Sequence, residues 1–276
     1  MLRKSREEIL KDFKAQVAQG KILVGVGAGT GITAKCSEKA DVDMLIIYNS
    51  GRFRMAGRGS LSGILSYGDA NAIVQEMGQE VLPIVKKTPV LAGVCGTDPF
   101  RVMDIFLKQL KEQGFNGVQN FPTVGLIDGK FRANLEETGM GYGLEVDMIR
   151  EAHKLDMLTC PYVFEPEQAK AMAEAGADIL VAHMGLTTKG SIGAETALTL
   201  DDCCEKIREI IKAGKEVNPD IMVICHGGPI AEPEDAAYVI NNVPEIDGFF
   251  GASSIERLAS ERGMTAQAAA FKAIEK

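Results

Sequence analysis

Short apolar runs alternate along this chain with longer stretches whose apolar residues recur every three or four positions. The runs are Ile22–Val26, Met44–Tyr48, Val90–Cys95, Gly117–Asn120, Met157–Tyr162, Asp178–His183, Ile221–Cys225 and Gly248–Phe250. Each ends in glycine or a polar turn residue. Continuous apolar runs of this length predict parallel strands buried on both faces, and the stretches between them predict amphipathic helices. Asp69 reads as the N-cap of a helix reaching about Lys87, and Thr199-Leu-Asp-Asp202 as a capping box. Thr97-Asp98-Pro99, Glu165-Pro166 and Pro233 read as helix starts with proline in the first turn. Ser253-Ser-Ile-Glu256 reads as a second capping box. Long polar segments, Asn49–Gly68 and Met184–Leu198, follow the second and sixth strands.

Eight strand–helix units in about 255 residues predict an α/β fold, a single (β/α)8 barrel. The first four strands begin near 22, 43, 90 and 117, and the last four near 157, 178, 221 and 247. The two sets share one rhythm, which suggests two half-barrels related by duplication. Ahead of them, Ile9, Leu10, Phe13 and Val17 share one helical face. The expected organisation is therefore an N-terminal helix over 1–20 and a barrel over 21–276, with that helix closing the barrel bottom or packing on a partner.

Composition narrows the function classes. A net charge of −8 disfavours nucleic acid and anionic membranes as main partners. No apolar run approaches the roughly 18 residues of a membrane span. Six cysteines without metal-type spacing or a secretory leader are read as reduced thiols of a cytoplasmic protein.

In a barrel the chemistry stands at the C-terminal strand ends. Two of only three histidines, His183 and His226, end the sixth and seventh strands, where an imidazole can move a proton or steady an oxyanion. Glu165 is a candidate acid or base, and Asp98 is either a catalytic carboxylate or an N-cap. The glycine-ended turns offer backbone amides to an anion: Gly227 and Gly228 after the seventh strand, Gly251, Ser253 and Ser254 after the eighth, Gly27 and Gly29 after the first. Asn49 and Asn120 end the second and fourth strands. Arg52 is the favoured anion clamp of the second loop, ahead of Arg54 and Arg58. Cys95, Cys160 and Cys225 read as small buried hydrophobes. Gly25-Val-Gly27-Ala-Gly29-Thr-Gly31 resembles a dinucleotide loop, but Tyr48-Asn49-Ser50 stands where a ribose-binding acid is expected, so NAD is disfavoured. No motif marks a metal site, though Mg²⁺ held mainly by a ligand's phosphate needs few protein groups.

The segments VGVGAGTGITAKCSEKADVDMLIIYNSGRFRMAGRGSLSG, LAGVCGTDPF, GVQNFPTVGLIDG, AHMGLTTKGSIGAETALTL and CHGGPI with GFFGASSIERL resemble the phosphoenolpyruvate hydrolase-like family, also described as TIM-barrel signal-transduction proteins. The resemblance implies a barrel related to phosphoenolpyruvate- and pyruvate-binding enzymes. The wider superfamily binds Mg²⁺ through acidic residues near the third and fourth strands; here Asp98 is the one such residue. The expectation is an enzyme with hydrolase- or lyase-type chemistry on a small phosphorylated or oxoacid metabolite, in a homo-oligomer. The alternative is a non-catalytic small-ligand-sensing barrel.

Overall fold

A computed structural model describes residues 4–276. Nine parallel strands form one sheet: β1 (Leu23–Gly27), β2 (Met44–Ile47), β3 (Val90–Val94), β4 (Gly117–Asn120), β5 (Leu158–Thr159), β6 (Tyr162–Val163), β7 (Ile179–His183), β8 (Met222–His226) and β9 (Gly248–Gly251). The order is β5-β4-β3-β2-β1-β9-β8-β7-β6. β5 and β6 are two pieces of the expected fifth strand, parted at Cys160-Pro161. β4 pairs with the first piece and β7 with the second, so the sheet closes into the expected eight-unit barrel. Proline has no N–H for a ladder, and side chains make up the loss. Asn120 Oδ1 accepts from the Tyr162 N–H at 2.6 Å, and Asp178 Oδ2 accepts from the Thr159 N–H at 2.9 Å.

Eleven α-helices accompany the strands among the described residues: α1 (Arg6–Ala18), α2 (Gly31–Lys39), α3 (Asn49–Met55), α4 (Ala70–Val81), α5 (Met103–Gln113), α6 (Gly129–Glu137), α7 (Gly143–Lys154), α8 (Pro166–Glu174), α9 (Leu200–Val217), α10 (Pro233–Asn242) and α11 (Leu258–Lys272). The expected N-terminal helix forms as α1; residues 1–3 of its expected range lie outside the described residues. Ile9 and Phe13 are buried against the barrel bottom, and Arg6 grips Asp178 at the foot of β7 through Nε (2.9 Å) and Nη2 (2.5 Å). Strand starts in the second half lie 131 to 135 residues beyond those of the first, in keeping with the half-barrel rhythm.

Three local readings need correction. Pro99 marks a turn, and the helix begins only at Met103: Asp98 caps no helix but accepts from the Phe100 N–H. The segment after the second strand folds into α3 and a 3₁₀ turn, Ser60–Gly63, and the segment after the fourth carries α6. Ser253–Arg257 forms a π-helical turn without a side-chain cap, because Glu256 is drawn inward by a distant arginine. That turn also redirects α11. A barrel helix normally covers its neighbouring strands, but Leu258 is the one buried residue of α11, and Met264 and Phe271 are about two-thirds exposed.

Candidate functional site

Register brings the two histidines together. His183 of β7 pairs with His226 of β8, which pairs with Phe250 of β9. Residues level on neighbouring parallel strands point to one face at about 4.8 Å spacing. The His183 and His226 ring centroids are accordingly 4.7 Å apart, and His226 and Phe250 are 4.8 Å apart. Tyr162 closes the group, 4.8 Å from His183 and 5.2 Å from His226, on which it stacks. Phe121 and Tyr48 extend it across the mouth.

The backbone fixes a different tautomer on each imidazole. The Gly185 N–H can only donate, so His183 Nδ1, 3.0 Å away, accepts, and a neutral ring carries its proton on Nε2. The Phe250 carbonyl can only accept, so His226 Nδ1, 2.7 Å away, donates and leaves Nε2 as a bare acceptor. The Tyr162 hydroxyl stands 3.5 Å from that Nε2. Burial, followed by its neighbour His226, pushes the His183 pKa well below the usual imidazole value; burial brings His226 down to about 4. Both rings are neutral at pH 7. Burial also raises the pKa of the Tyr48 and Tyr162 phenols.

Beside this group lies a buried ion pair. Arg54 donates from Nε (2.9 Å) and Nη2 (2.6 Å) to Glu256 Oε2, and the Gly29 N–H donates to Glu256 Oε1 at 2.6 Å. Neither side chain exceeds 1% exposure. The anion cradle expected from the glycine turns is thus formed in part, and Glu256 fills it. The Tyr48 phenol lies beside the same guanidinium. With Ser50, Ser60, Ser253, Thr187, the two histidines and the aromatic rings, Arg54 lines a cavity with about 30 Å³ of free room, enough for one or two waters.

The remaining candidates divide clearly. Arg52 faces outward, 42% exposed and paired with Glu76 at 2.8 Å, whereas Arg54 faces the cavity. Two residues apart on a helix means roughly 200° of rotation, so the two cannot share a face. Glu165 is exposed and paired with Lys206, and it does not line the cavity. Gly227 and Gly228 hold φ of +80° and +58°, which suits glycine, and the Gly228 amide is engaged by the neighbouring segment. The Gly228 N–H donates to Gly185 O and its carbonyl accepts from Thr188, so this turn clamps the segment after β7 over the mouth. Gly251 belongs to the ladder with Val26. Ser253 reaches the cavity, while Ser254 lines an outer groove beside Pro233. Gly27 lies behind the cavity, where an added Cβ would come within 2.6 Å of the Tyr48 hydroxyl.

Asn49 and Asn120 are buried and structural in their visible bonds. Asn49 Nδ2 donates to Gly63 O, and its Oδ1 lacks a donor, as does the Ser50 hydroxyl a partner. Asn120 donates to Glu145 Oε2 at 2.6 Å, and the Val124 N–H donates to Glu145 Oε1 at 2.8 Å. Burial raises the Glu145 pKa to about 7. The sequence reading gave Glu256 only a helix-capping role and did not single out Glu145.

Asp98 does not fit a metal ligand. Its Oδ1 takes the Phe100 N–H at 2.9 Å, its Oδ2 takes Asn71 Nδ2 at 2.8 Å, and Arg101 approaches to 3.9 Å. Among the described residues, no three His, Cys, Asp or Glu side chains converge as a metal site. No helix among them is long and apolar enough to cross a membrane.

Known proteins resemble this chain at two levels, sequence and fold. The ToMV resistance protein Tm-1(GCR237) of Solanum lycopersicum is 61% identical over 269 residues, which is 98% of this chain and 36% of that protein. The chain spans about a third of the length of such curated relatives. Among solved structures, a phosphonopyruvate hydrolase aligns with a TM-score of 0.61 at 16% identity, covering 98% of this chain and 88% of that one. A 2,3-dimethylmalate lyase described as a PEP mutase/isocitrate lyase superfamily member aligns with a TM-score of 0.61 at 14% identity, covering 99% and 86%. At such identities these two share the fold. The family model described as phosphoenolpyruvate hydrolase-like matches residues 8–274, and the chain belongs to that family.

Proposed function

We propose that this barrel is an enzyme of hydrolase or lyase type, acting on a small oxoacid or phosphorylated metabolite of the phosphoenolpyruvate kind. The observation that carries the reading is the opposed tautomers of His183 and His226. Bond cleavage next to a carbonyl or enol oxygen needs a donor for the developing oxyanion and an acceptor for a proton. His183 Nε2–H supplies the donor and His226 Nε2 the acceptor, with the Tyr162 hydroxyl in reach as a relay. Arg54, which lines the cavity, binds the substrate carboxylate, and Glu256 holds the guanidinium in place. Ser50, Ser60 and Ser253 offer hydroxyls to a carboxylate or phosphoryl oxygen. Because the donors around Asp98 do not suit a cation, no step runs through a metal.

Turnover of phosphoenolpyruvate, phosphonopyruvate and 2,3-dimethylmalate, the last two suggested by the structural relatives, tests the reading. His226→Gln should cut kcat on the active compound by about 10²-fold or more while ligand binding persists. Unchanged turnover in that variant removes the role. A second reading, a ligand-sensing barrel in a signalling protein, draws on the tightly closed cavity; binding of these compounds without turnover would favour it.

Self-association is part of the proposal. An apolar groove of about 450 Å³ lined by Ile22, Val24, Ala236, Ile240 and Phe249 lies open beside β1 and β9, while α11 stands away from its own barrel. A second copy's α11 would cover that groove. The six unpaired cysteines favour a reducing, cytoplasmic setting.

A further inference from the structure

The cavity beside the histidines is shut. About 30 Å³ of free room admits water but no three-carbon acid, so a substrate enters only if part of the wall moves. Three loop segments contribute to that wall: Leu61 after β2, Phe121 and Leu126 after β4, and Gly185, Leu186 and Thr187 after β7. Two of them are pinned from within. Gly63 is buried, and its carbonyl accepts from Asn49 Nδ2 at 2.8 Å. Phe121, Thr123 and Val124 are buried, and Glu145 holds the Val124 N–H. The third segment differs. From Gly185 to Leu198 no residue is buried and no helix forms. Segments with few buried contacts are the first to open.

What holds this strap shut lies outside the cavity. Arg257 Nη2 donates to Lys189 O at 3.0 Å, Ser191 Oγ donates to Glu261 Oε1 at 2.6 Å, and Lys189 Nζ donates to Asp235 Oδ2 at 2.9 Å. Lys189 holds φ of +65°, an uncommon conformation for a residue with a side chain. The closed path is therefore kept by these ties rather than by backbone preference. Gly190 lies close against the start of α11: an added Cβ would come within 2.1 Å of Arg257 Nη1 and 2.6 Å of Leu258 Cδ2.

The inner end of the strap touches the chemistry. The Gly185 N–H that fixes the His183 tautomer belongs to it, and the Gly185 carbonyl accepts from the Gly228 N–H at 2.8 Å. Lifting the strap at Gly185 takes the donor away from Nδ1, and either nitrogen of the neutral ring can then carry the proton.

We infer that Gly185–Leu198 is a lid: it lifts from Arg257 and Glu261 to admit substrate, and its return sets the His183 proton on Nε2, so the opposed histidine pair is complete only when the site is closed. This rests on reading the cavity as the active site and adds the step that gives access to it. Closure of this kind excludes water and assembles the catalytic groups around the bound substrate.

Carbethoxylation of histidine by diethyl pyrocarbonate, followed peptide by peptide in a mass spectrometer, tests the lid without any turnover. Glu261→Ala removes the tie to Ser191, and Gly190→Ala presses the strap off Arg257. Either change should speed modification of His183 and His226 about tenfold, while His153, which does not line the cavity, reacts as in the wild type. No acceleration in both variants, or an acceleration shared by His153, overturns the lid and leaves the oxoacid reading in place. Acceleration confined to His183 and His226, with no turnover of any oxoacid, keeps the lid and removes that reading.

Discussion

Two glutamates are sealed inside this barrel's upper half, and the chain treats them in opposite ways. Glu256 meets a guanidinium and a backbone amide; Glu145 meets the uncharged Asn120 amide, Val124 N–H and Thr123 hydroxyl. Both are essentially without solvent. Removing a carboxylate from water is costly unless a charge or a proton compensates. Arg54 compensates Glu256. Glu145 has no cation in hydrogen-bond contact and compensates by holding its proton, with a pKa near 7. The same residue type thus gives a fixed ionic brace on one side of the mouth and a group that titrates near neutrality on the other.

The largest way to break this contrast is to remove one partner of the brace. Glu256→Gln leaves a buried guanidinium unpaired and should cost about 3–5 kcal/mol in urea unfolding. Arg54→Met with Glu256→Leu should recover most of that loss, since no charge is then left stranded. A recovery of none would show that the pair serves more than its own neutralisation.

The pH dependence sharpens the other side. The folded pKa of Glu145 lies above its ordinary value, so the folded state keeps a proton that the unfolded chain releases. Stability from this group is full below about pH 4.5 and is lost as pH rises through about 7, a span of about 3 kcal/mol at 1.36 kcal/mol per unit. For His226 the sign reverses. Its folded pKa is depressed to about 4, so stability is full above about 6.5 and is lost as pH falls toward 4, again by about 3 kcal/mol. Urea midpoints measured from pH 4 to 8 should show wild type losing stability at both ends. Glu145→Gln should flatten the alkaline side and His226→Gln the acidic side; unaltered slopes would count against these environments.

A smaller effect separates the two arginines of α3. Arg52→Ala removes an exposed pair with Glu76 and should change stability by less than about 1 kcal/mol. It should not alter ligand affinity. An affinity loss in Arg52→Ala equal to that in Arg54→Lys would restore Arg52 as the clamp.

These contrasts mark where sequence reasoning reached and where it stopped. Strands and most helices were legible because burial on both faces leaves continuous apolar runs, and because caps such as Asp69 and Thr199 act within one turn. His183 and His226 were legible because strand ends in a barrel have a known place. Arg54 was ranked below Arg52 because a seven-residue helix gives too little periodicity to orient its faces. Glu256 was hidden more deeply. Its local spacing from Ser253 fits a capping box, but its partner lies 202 residues away, and the long-range ion pair overrode the local pattern. Asp98-Pro99 misled for a related reason: an Asp–Pro turn and a helix start share their first residues. Glu145 sits mid-pattern in an amphipathic helix, where nothing local separates a buried glutamate from a solvated one.

The interruption at Pro161 has a consequence for how the barrel breathes. Where two ordinary strands meet, an amide proton is protected by a neighbour's carbonyl and exchanges with solvent when the sheet unzips. The Tyr162 amide is instead guarded by the Asn120 side chain, which is itself held by Glu145. Its exchange rate therefore reports the swing of one asparagine rather than the parting of strands. The closed cylinder thus carries one side-chain latch in its wall, beside the ring that stacks on His226.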